Sequence, residues 1–183
     1  MILLTTSRRP TQLIRTLCRD LARSIPNVVR INRGKLSLDG IAEKALEFNA
    51  NRVIVIERWN GRPAKIELFY MGPAGLTPVP PLIYVASIRF QREFEAKIKP
   101  VESLTITTPT EKSPDALKIA ESLSSFLKIP LLSMKGAASK HQVSMHVSSD
   151  ASQRTQITFM LFPKTVEVGP RITVSHVVWE TPK

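Results

Sequence analysis

Between Leu3 and Lys35 the chain carries eight basic side chains: Arg8, Arg9, Arg15, Arg19, Arg23, Arg30, Arg33 and Lys35. Against them stands one acid, Asp20, so the stretch has a net charge of +7. The whole 183-residue chain holds 26 basic and 15 acidic residues, a net +11, and this short segment therefore supplies most of the excess. Nearly all of its bases are arginine. The guanidinium is a planar fork of donors that matches phosphate oxygens two at a time. The chemistry this offers is the grip of a polyanion. A plain solvated face is the competing reading, but such a face usually mixes acids among its bases, and here Asp20 stands alone.

Other residue types capable of chemistry do not assemble a site. His141 and His146 lie on or just before an alternating strand in which Val143, Met145 and Val147 face inward and His146 outward, a spacing that does not converge on a metal. His176 alternates with Ile172, Val174 and Val178, which predicts a buried, hydrogen-bonded histidine. Cys18 is the only cysteine, so no internal disulfide forms and a reducing compartment is expected. Its place beside an apolar stripe reads as core. There is no nucleophile elbow, no HExxH and no P-loop, and Arg33-Gly34-Lys35 lacks the Ser/Thr that a nucleotide cradle needs. Acids are scattered, with no cluster for two-metal nuclease chemistry. The expectation is no catalysis, no metal and no cofactor. Aromatics are sparse in the basic stretch, so phosphate contact and shape are expected to outweigh base stacking there. No run of 18 apolar residues is present, so no helical membrane span is expected.

The elements that position the arginines follow from periodicity. Leu3 and Leu4 begin an apolar strand, and Pro10 suits the first turn of a helix. Leu13, Ile14, Leu17, Cys18 and Leu21 recur at helical spacing, and at about 100° per residue Arg15, Arg19 and Arg23 fall on the opposite side. Arg8 and Arg9 sit in the preceding turn; Arg30, Arg33 and Lys35 follow the strand NVVRI. Ser37 is placed to cap a second helix. RVIVIERW reads as a central strand, Asn60-Gly61 as a hairpin turn, and PAKIELFYM as the partner strand. Residues 72–81 hold several prolines and read as a loop. LIYVASIRF is a further strand, with a boundary expected near Pro100.

Beyond that point the pattern returns. Strand, Thr-Thr, a polar turn with proline, an amphipathic helix, Ile-Pro and a short strand occur at Thr5-Thr6 and Ile25-Pro26, then at Thr107-Thr108 and Ile129-Pro130. Each half continues with a hairpin and ends on a strand after Gly-Pro, at Gly72-Pro73 and Gly169-Pro170. The expected fold class is α/β, built as two similar βαβ-type halves related by internal duplication, residues 1–92 and 101–183. In this register Arg15, Arg19 and Arg23 answer Leu117, Glu121 and Ser125, so the helix itself does not require arginine. Residues 1–92 hold fifteen bases and six acids, residues 93–183 eleven and nine. The charge belongs to the first half.

Ser7-Arg8-Arg9-Pro10, Ile25-Pro26-Asn27, Ile31-Asn32-Arg33-Gly34-Lys35 and Gly169-Pro170-Arg171-Ile172, in that order, resemble the landmarks of the Brix domain across essentially the whole chain. The resemblance departs at residues 72–75, Gly-Pro-Ala-Gly, where the family pattern has Gly-Pro-Thr and an aromatic. It implies a single domain of archaeal type, each half similar to the anticodon-binding domain of class IIa aminoacyl-tRNA synthetases. It implies a cytoplasmic, non-catalytic factor of ribosome biogenesis that binds ribosomal RNA or its precursor, with other assembly proteins as partners and no membrane. Ser7, Arg8, Arg9, Asn32, Arg33, Gly34, Gly169, Pro170 and Arg171 would face the RNA by this resemblance. Arg15, Arg19, Arg23, Arg30 and Lys35 join them from the charge pattern. An RNA-processing enzyme and a protein–protein scaffold are the alternatives.

Overall fold

A computed structural model describes residues 1–97, 99–109, 113–140 and 142–180. His141 lies outside them. One mixed sheet runs through the molecule. The first half contributes β1 (Ile2–Thr6), β2 (Val28–Arg30), β3 (Arg52–Trp59), β4 (Arg62–Gly72) and β5 (Gly75–Arg89). The second contributes β6 (Leu104–Thr107), β7 (Leu131–Leu132), β8 (Val143–Ser149), β9 (Thr155–Leu161), β10 (Val166–Glu167) and β11 (Arg171–Val178). Their order is β2-β1-β3-β4-β5-β11-β9-β8-β6-β7, with β10 against β9. β1 pairs parallel with β2 and β3, and β6 pairs parallel with β7 and β8; the remaining pairs are antiparallel. Each outer third is thus a right place for crossover helices, and the centre is hairpins.

The helices are α1 (Gln12–Ser24), α2 (Leu38–Glu47), α3 (Pro114–Leu127) and α4 (Met134–Lys140). Ile14, Leu17, Cys18 and Leu21 of α1 and Ala116, Ile119, Ala120 and Leu123 of α3 pack into one core with Ile2, Leu4, Ile54, Ile56, Ile106 and Met145. Alternation along the strands sends Leu3, Val53, Val55 and Phe69 to the opposite face, where Ile41 and Ala45 of α2 cover them. The Ser37 hydroxyl caps α2 by accepting from the Gly40 N–H at 3.1 Å. Pro10 is not within the helix. Thr11 takes the N-cap, its hydroxyl accepting from Ile14 N–H, and a hydroxyl cap satisfies a free amide that proline cannot.

Three further expectations need correction. Residues 72–81 are not a loop: the chain turns at Gly72–Gly75 and returns as strand, Leu76 opposite Met71 and Thr77 opposite Tyr70. Pro78 and Pro80 are tolerated because β11 pairs only with Leu82–Arg89, so this stretch is hydrogen-bonded along one side. No boundary falls at Pro100 in the packing, because β5 and β11 join the halves in one sheet and the larger core spans both. Val101 N–H donates to Arg23 O at 3.0 Å, and Arg52 donates to Phe126 O, near the C-terminus of α3, at 2.8 Å. His176 is exposed. Irregularities in the β11–β5 register on both sides of Val174 break the alternation and turn His176 away from the core.

His146 behaves as expected for a strand residue on the less apolar face, half-buried with Nδ1 3.0 Å from Thr107 Oγ1. Burial lowers its pKa, partly opposed by Glu167. The unfolded chain then takes up the proton more readily than the native one. Its contribution is full above the ordinary value near 6.5 and is lost as pH falls through the depressed native value. Thermal melts from about pH 7.5 to about pH 5.5 should show a shallower loss of stability in His146→Gln than in the unmodified chain. Identical slopes would remove His146 from the account.

Candidate nucleic-acid interface

The carboxyl ends of β1 and β2 meet at one edge of the sheet, with α1 leaving to one face and α2 to the other. In open α/β sheets such a point of divergence leaves a crevice where ligands bind. The loops that emerge there carry Ser7, Arg8 and Arg9 after β1, and Asn32, Gly34 and Lys35 after β2. Arg8, Arg9, Asn32, Gly34 and Lys35 are exposed. Ser7 N–H donates to Ile56 O at 2.9 Å, while its buried Oγ has no hydrogen-bond partner among the described residues. Gly34 has φ +56, a left-handed turn that glycine adopts without strain.

Arg33 is the exception in this group. It is buried, its guanidinium 3.3 Å from Glu57 Oε1 and donating to Leu36 O at 3.1 Å and Thr6 O at 3.5 Å. These contacts clasp the loop after β2 onto the ends of β1 and β3, so this side chain is engaged within the fold.

The second cluster lies on α1. Arg15, Arg19 and Arg23 are exposed on successive turns, with the Ile14–Leu21 stripe buried beneath them as the periodicity requires. No ion pair among the described residues uses any of the three. Arg30 on edge strand β2 is exposed too and lies close enough to α1 to act on Cys18. Cys18 itself is buried, and burial pushes its thiol up to about 12, only slightly opposed by Arg30. It is not a nucleophile.

Arg19 and Arg23 line a cleft of about 280 Å³ together with Gln91, Arg92 and Lys97, from the segment that links the halves. Gln91 fastens that segment to α1: its N–H donates to Asp20 Oδ2 at 2.9 Å and its amide to Ser24 Oγ at 2.7 Å. Asp20, the lone acid of the basic stretch, is therefore buried and occupied. Burial raises its pKa, against the hydrogen bond from Gln91 and the charges of Arg23, Arg19 and Arg92. The carboxylate anchors the wall of the cleft without cancelling the exposed arginines above it. Sequence reasoning missed Arg92 and Lys97 because Glu93 and Glu95 sit between them and hide any local charge excess.

The late landmark is reached from the same clip. The Gln91 amide also donates to Gly169 O at 3.3 Å. Gly169 and Pro170 are buried. Gly169 has φ +63, and a Cβ there would stand 2.3 Å from the Phe94 ring. Arg171 is held by Glu167, Nε to Oε1 at 2.6 Å with a second bond to Oε2, and lies 5.8 Å from the centre of the Phe94 ring. Burial raises the Glu167 pKa, but the hydrogen bonds from Arg171 and Thr158 and the charges of Arg171 and Arg89 outweigh it and leave it lowered. Gly169 and Pro170 pack the junction, and Arg171, half-exposed, is engaged by Glu167; the resemblance placed these three residues against RNA. On α3 the positions answering the arginine row are Leu117, Glu121 and Ser125, with Leu117 half-buried and the other two exposed.

No family model matches the chain. A relative from Methanopyrus kandleri, described as a probable Brix domain-containing ribosomal biogenesis protein, is 26% identical over 178 residues, which is 92% of this chain and 90% of that one. One of the same description from Pyrococcus horikoshii is 32% identical over 125 residues, 66% of this chain and 55% of its own length. Among solved structures, a probable ribosomal biogenesis protein from Aeropyrum pernix superposes with a TM-score of 0.77 at 25% identity, covering 94% of both chains. The archaeal protein Mil superposes with a TM-score of 0.67 at 20% identity, covering 97% of this chain and 99% of its own, a likeness of fold.

Proposed function

We propose that the chain is a Brix-type ribosome-biogenesis factor, like the relatives it matches, and that it binds ribosomal RNA or its precursor without catalysing a reaction on it. One observation carries the reading: an exposed arginine row on α1, free of ion pairs among the described residues, that the matching helix α3 lacks. Arg8, Arg9, Lys35, Arg30, Arg15, Arg19 and Arg23, extended by Arg92 and Lys97, would hold backbone phosphates. Phosphate contacts position the protein on RNA, while the shape of the crevice at β1 and β2 would select structured segments. Asn32 and Gly34, exposed in the loop after β2, would supply an amide and bare backbone there, and Ser7 a hydroxyl.

We further infer that the halves 1–92 and 101–183 arose by internal duplication, each similar to the anticodon-binding domain of class IIa aminoacyl-tRNA synthetases. The support is the shared element order β-α-β-α-β-β-β, which the second half follows with one short extra strand, β10, and the mirrored strand order about β5–β11. Loss or gain of arginine on one copy then separates a binding half from a packing half. We place the work in the cytoplasm, with other ribosome-assembly proteins as further partners. Crosslinking the tagged chain in cells and sequencing the attached RNA tests the function. Enrichment of ribosomal RNA and its precursor over transfer and messenger RNA is expected; recovery in proportion to cellular abundance would contradict it.

A further inference from the structure

A row of side chains crosses the middle of the sheet on the face away from α1 and α3. Glu57 on β3 is opposite Lys65 on β4, Lys65 opposite Tyr84 on β5, and Tyr84 opposite His176 on β11. Their strand neighbours Ile56, Ala64, Ile66, Ile83 and Val85 point the other way, into the core. His176 stacks flat on Tyr84, ring centres 4.2 Å apart at 11°. Trp59 meets Tyr84 edge-on at 5.5 Å and 65°. The Lys65 ammonium, held by Glu57 and Glu67, sits 5.0 Å from the Trp59 ring centre and fixes the indole. Tyr84 is only 9% exposed, whereas Trp59 is 37% exposed and His176 is exposed.

The arrangement is a half-finished stack. Tyr84 supports the inner face of His176, and the register irregularities that turned this histidine out of the core leave its ring on the solvent side. Two exposed flat rings that both pack on Tyr84 offer the kind of surface unpaired bases stack upon, since every base has a π-face. The platform is continuous with the basic edge: Trp59 ends β3, whose Ile56 and Glu57 hold Ser7 and Arg33 in the loops that carry Arg8, Arg9 and Lys35. A strand whose phosphates are held at that edge reaches the rings next.

Resting on the RNA-binding reading above, we propose that Trp59 and His176 form a stacking platform for unpaired bases of the bound RNA. The occupant is a single-stranded segment, because bases paired in a helix have no free face to offer. This adds base contact to a surface that otherwise grips only phosphate.

The test uses the full chain carrying Trp179→Phe, which leaves Trp59 as the sole indole. The probes are a short oligoadenylate and a fully paired RNA hairpin of equal charge. Oligoadenylate should quench Trp59 emission and the hairpin should not. His176→Ala should weaken oligoadenylate binding about tenfold, within the range for removing one stacking ring, with the salt dependence unchanged; His176→Phe should retain it. If the chain binds both RNAs in a salt-dependent way but emission is silent and His176→Ala binds within twofold, the platform is wrong and the phosphate surface stands. Absence of any RNA binding would remove both readings. Quenching by a proline-rich peptide and not by RNA would overturn the platform in favour of a protein partner.

Discussion

Gly169→Ala should lower the melting temperature by roughly 5–15 °C. Two costs combine. A non-glycine residue in the left-handed region costs roughly 1–2 kcal/mol, and the position has φ +63. The new methyl would also stand 2.3 and 2.6 Å from two carbons of Phe94, so the ring must shift. Phe94 is buried and carries Arg89 at 4.3 Å on its face, which resists that shift. Overpacking of this kind costs roughly 1–3 kcal/mol, and each kcal/mol moves Tm by about 2–4 °C at this size. Phe94→Leu in the same chain should recover part of the loss, because neighbouring substitutions do not add. RNA affinity of the folded Gly169→Ala protein should stay within about twofold, for a binding change that small reflects no lost contact. A stable variant that had lost RNA binding would return Gly169 to the interface.

Replacing Arg15, Arg19 and Arg23 together by glutamine should weaken RNA binding roughly a hundredfold near 0.1 M salt. Each phosphate neutralised on single-stranded RNA contributes a slope of about 0.7 in log K against log salt, so three are worth about two log units at that concentration. The fold should barely notice. All three side chains are exposed, glutamine keeps helix propensity, and such changes usually shift stability by about 0.5 kcal/mol or less. The weakening should apply evenly across RNA sequences, since phosphate contacts carry no sequence information. Lys135→Gln with Lys164→Gln is the control, removing exposed charge from the second half. Lys118 is unsuitable there because its ammonium lies 4.0 Å from the Trp179 ring centre. Similar losses in both variants would mean that only net charge matters.

Local rules carried the reading of this chain a long way. The stripe Ile14–Leu21 put the arginines of α1 on the outside, Ser37 capped where a hydroxyl before an apolar run should, and RVIVIERW became β3 without a residue's shift. What stayed hidden depended on partners distant in sequence. Arg33 looked like its neighbours Arg30 and Lys35, yet Glu57, brought alongside by the parallel pairing of β1 with β3, and the carbonyls of Thr6 and Leu36 hold it inside the fold. Gly169 and Arg171 carry a motif but no sign that Phe94 and Glu167 will occupy them. Arg92 and Lys97 join the cleft through Gln91, whose partners Asp20 and Ser24 lie about seventy positions earlier. His176 was misread because a strand's alternation holds only until a bulge breaks it. Residues 72–81 show the same limit from the other side: proline excludes an inner strand, yet one free edge readmits it.

The central claim is that exposed arginines of the first half hold RNA by its phosphates. The most direct measurement is the affinity of the full chain for single-stranded or loop RNA across a salt series. With about five phosphates neutralised, log K should fall against log salt with a slope of roughly −3 to −4, and the Arg15, Arg19 and Arg23 triple glutamine variant should flatten it by about 2. A slope near zero, or one slope shared by both proteins, would contradict the account.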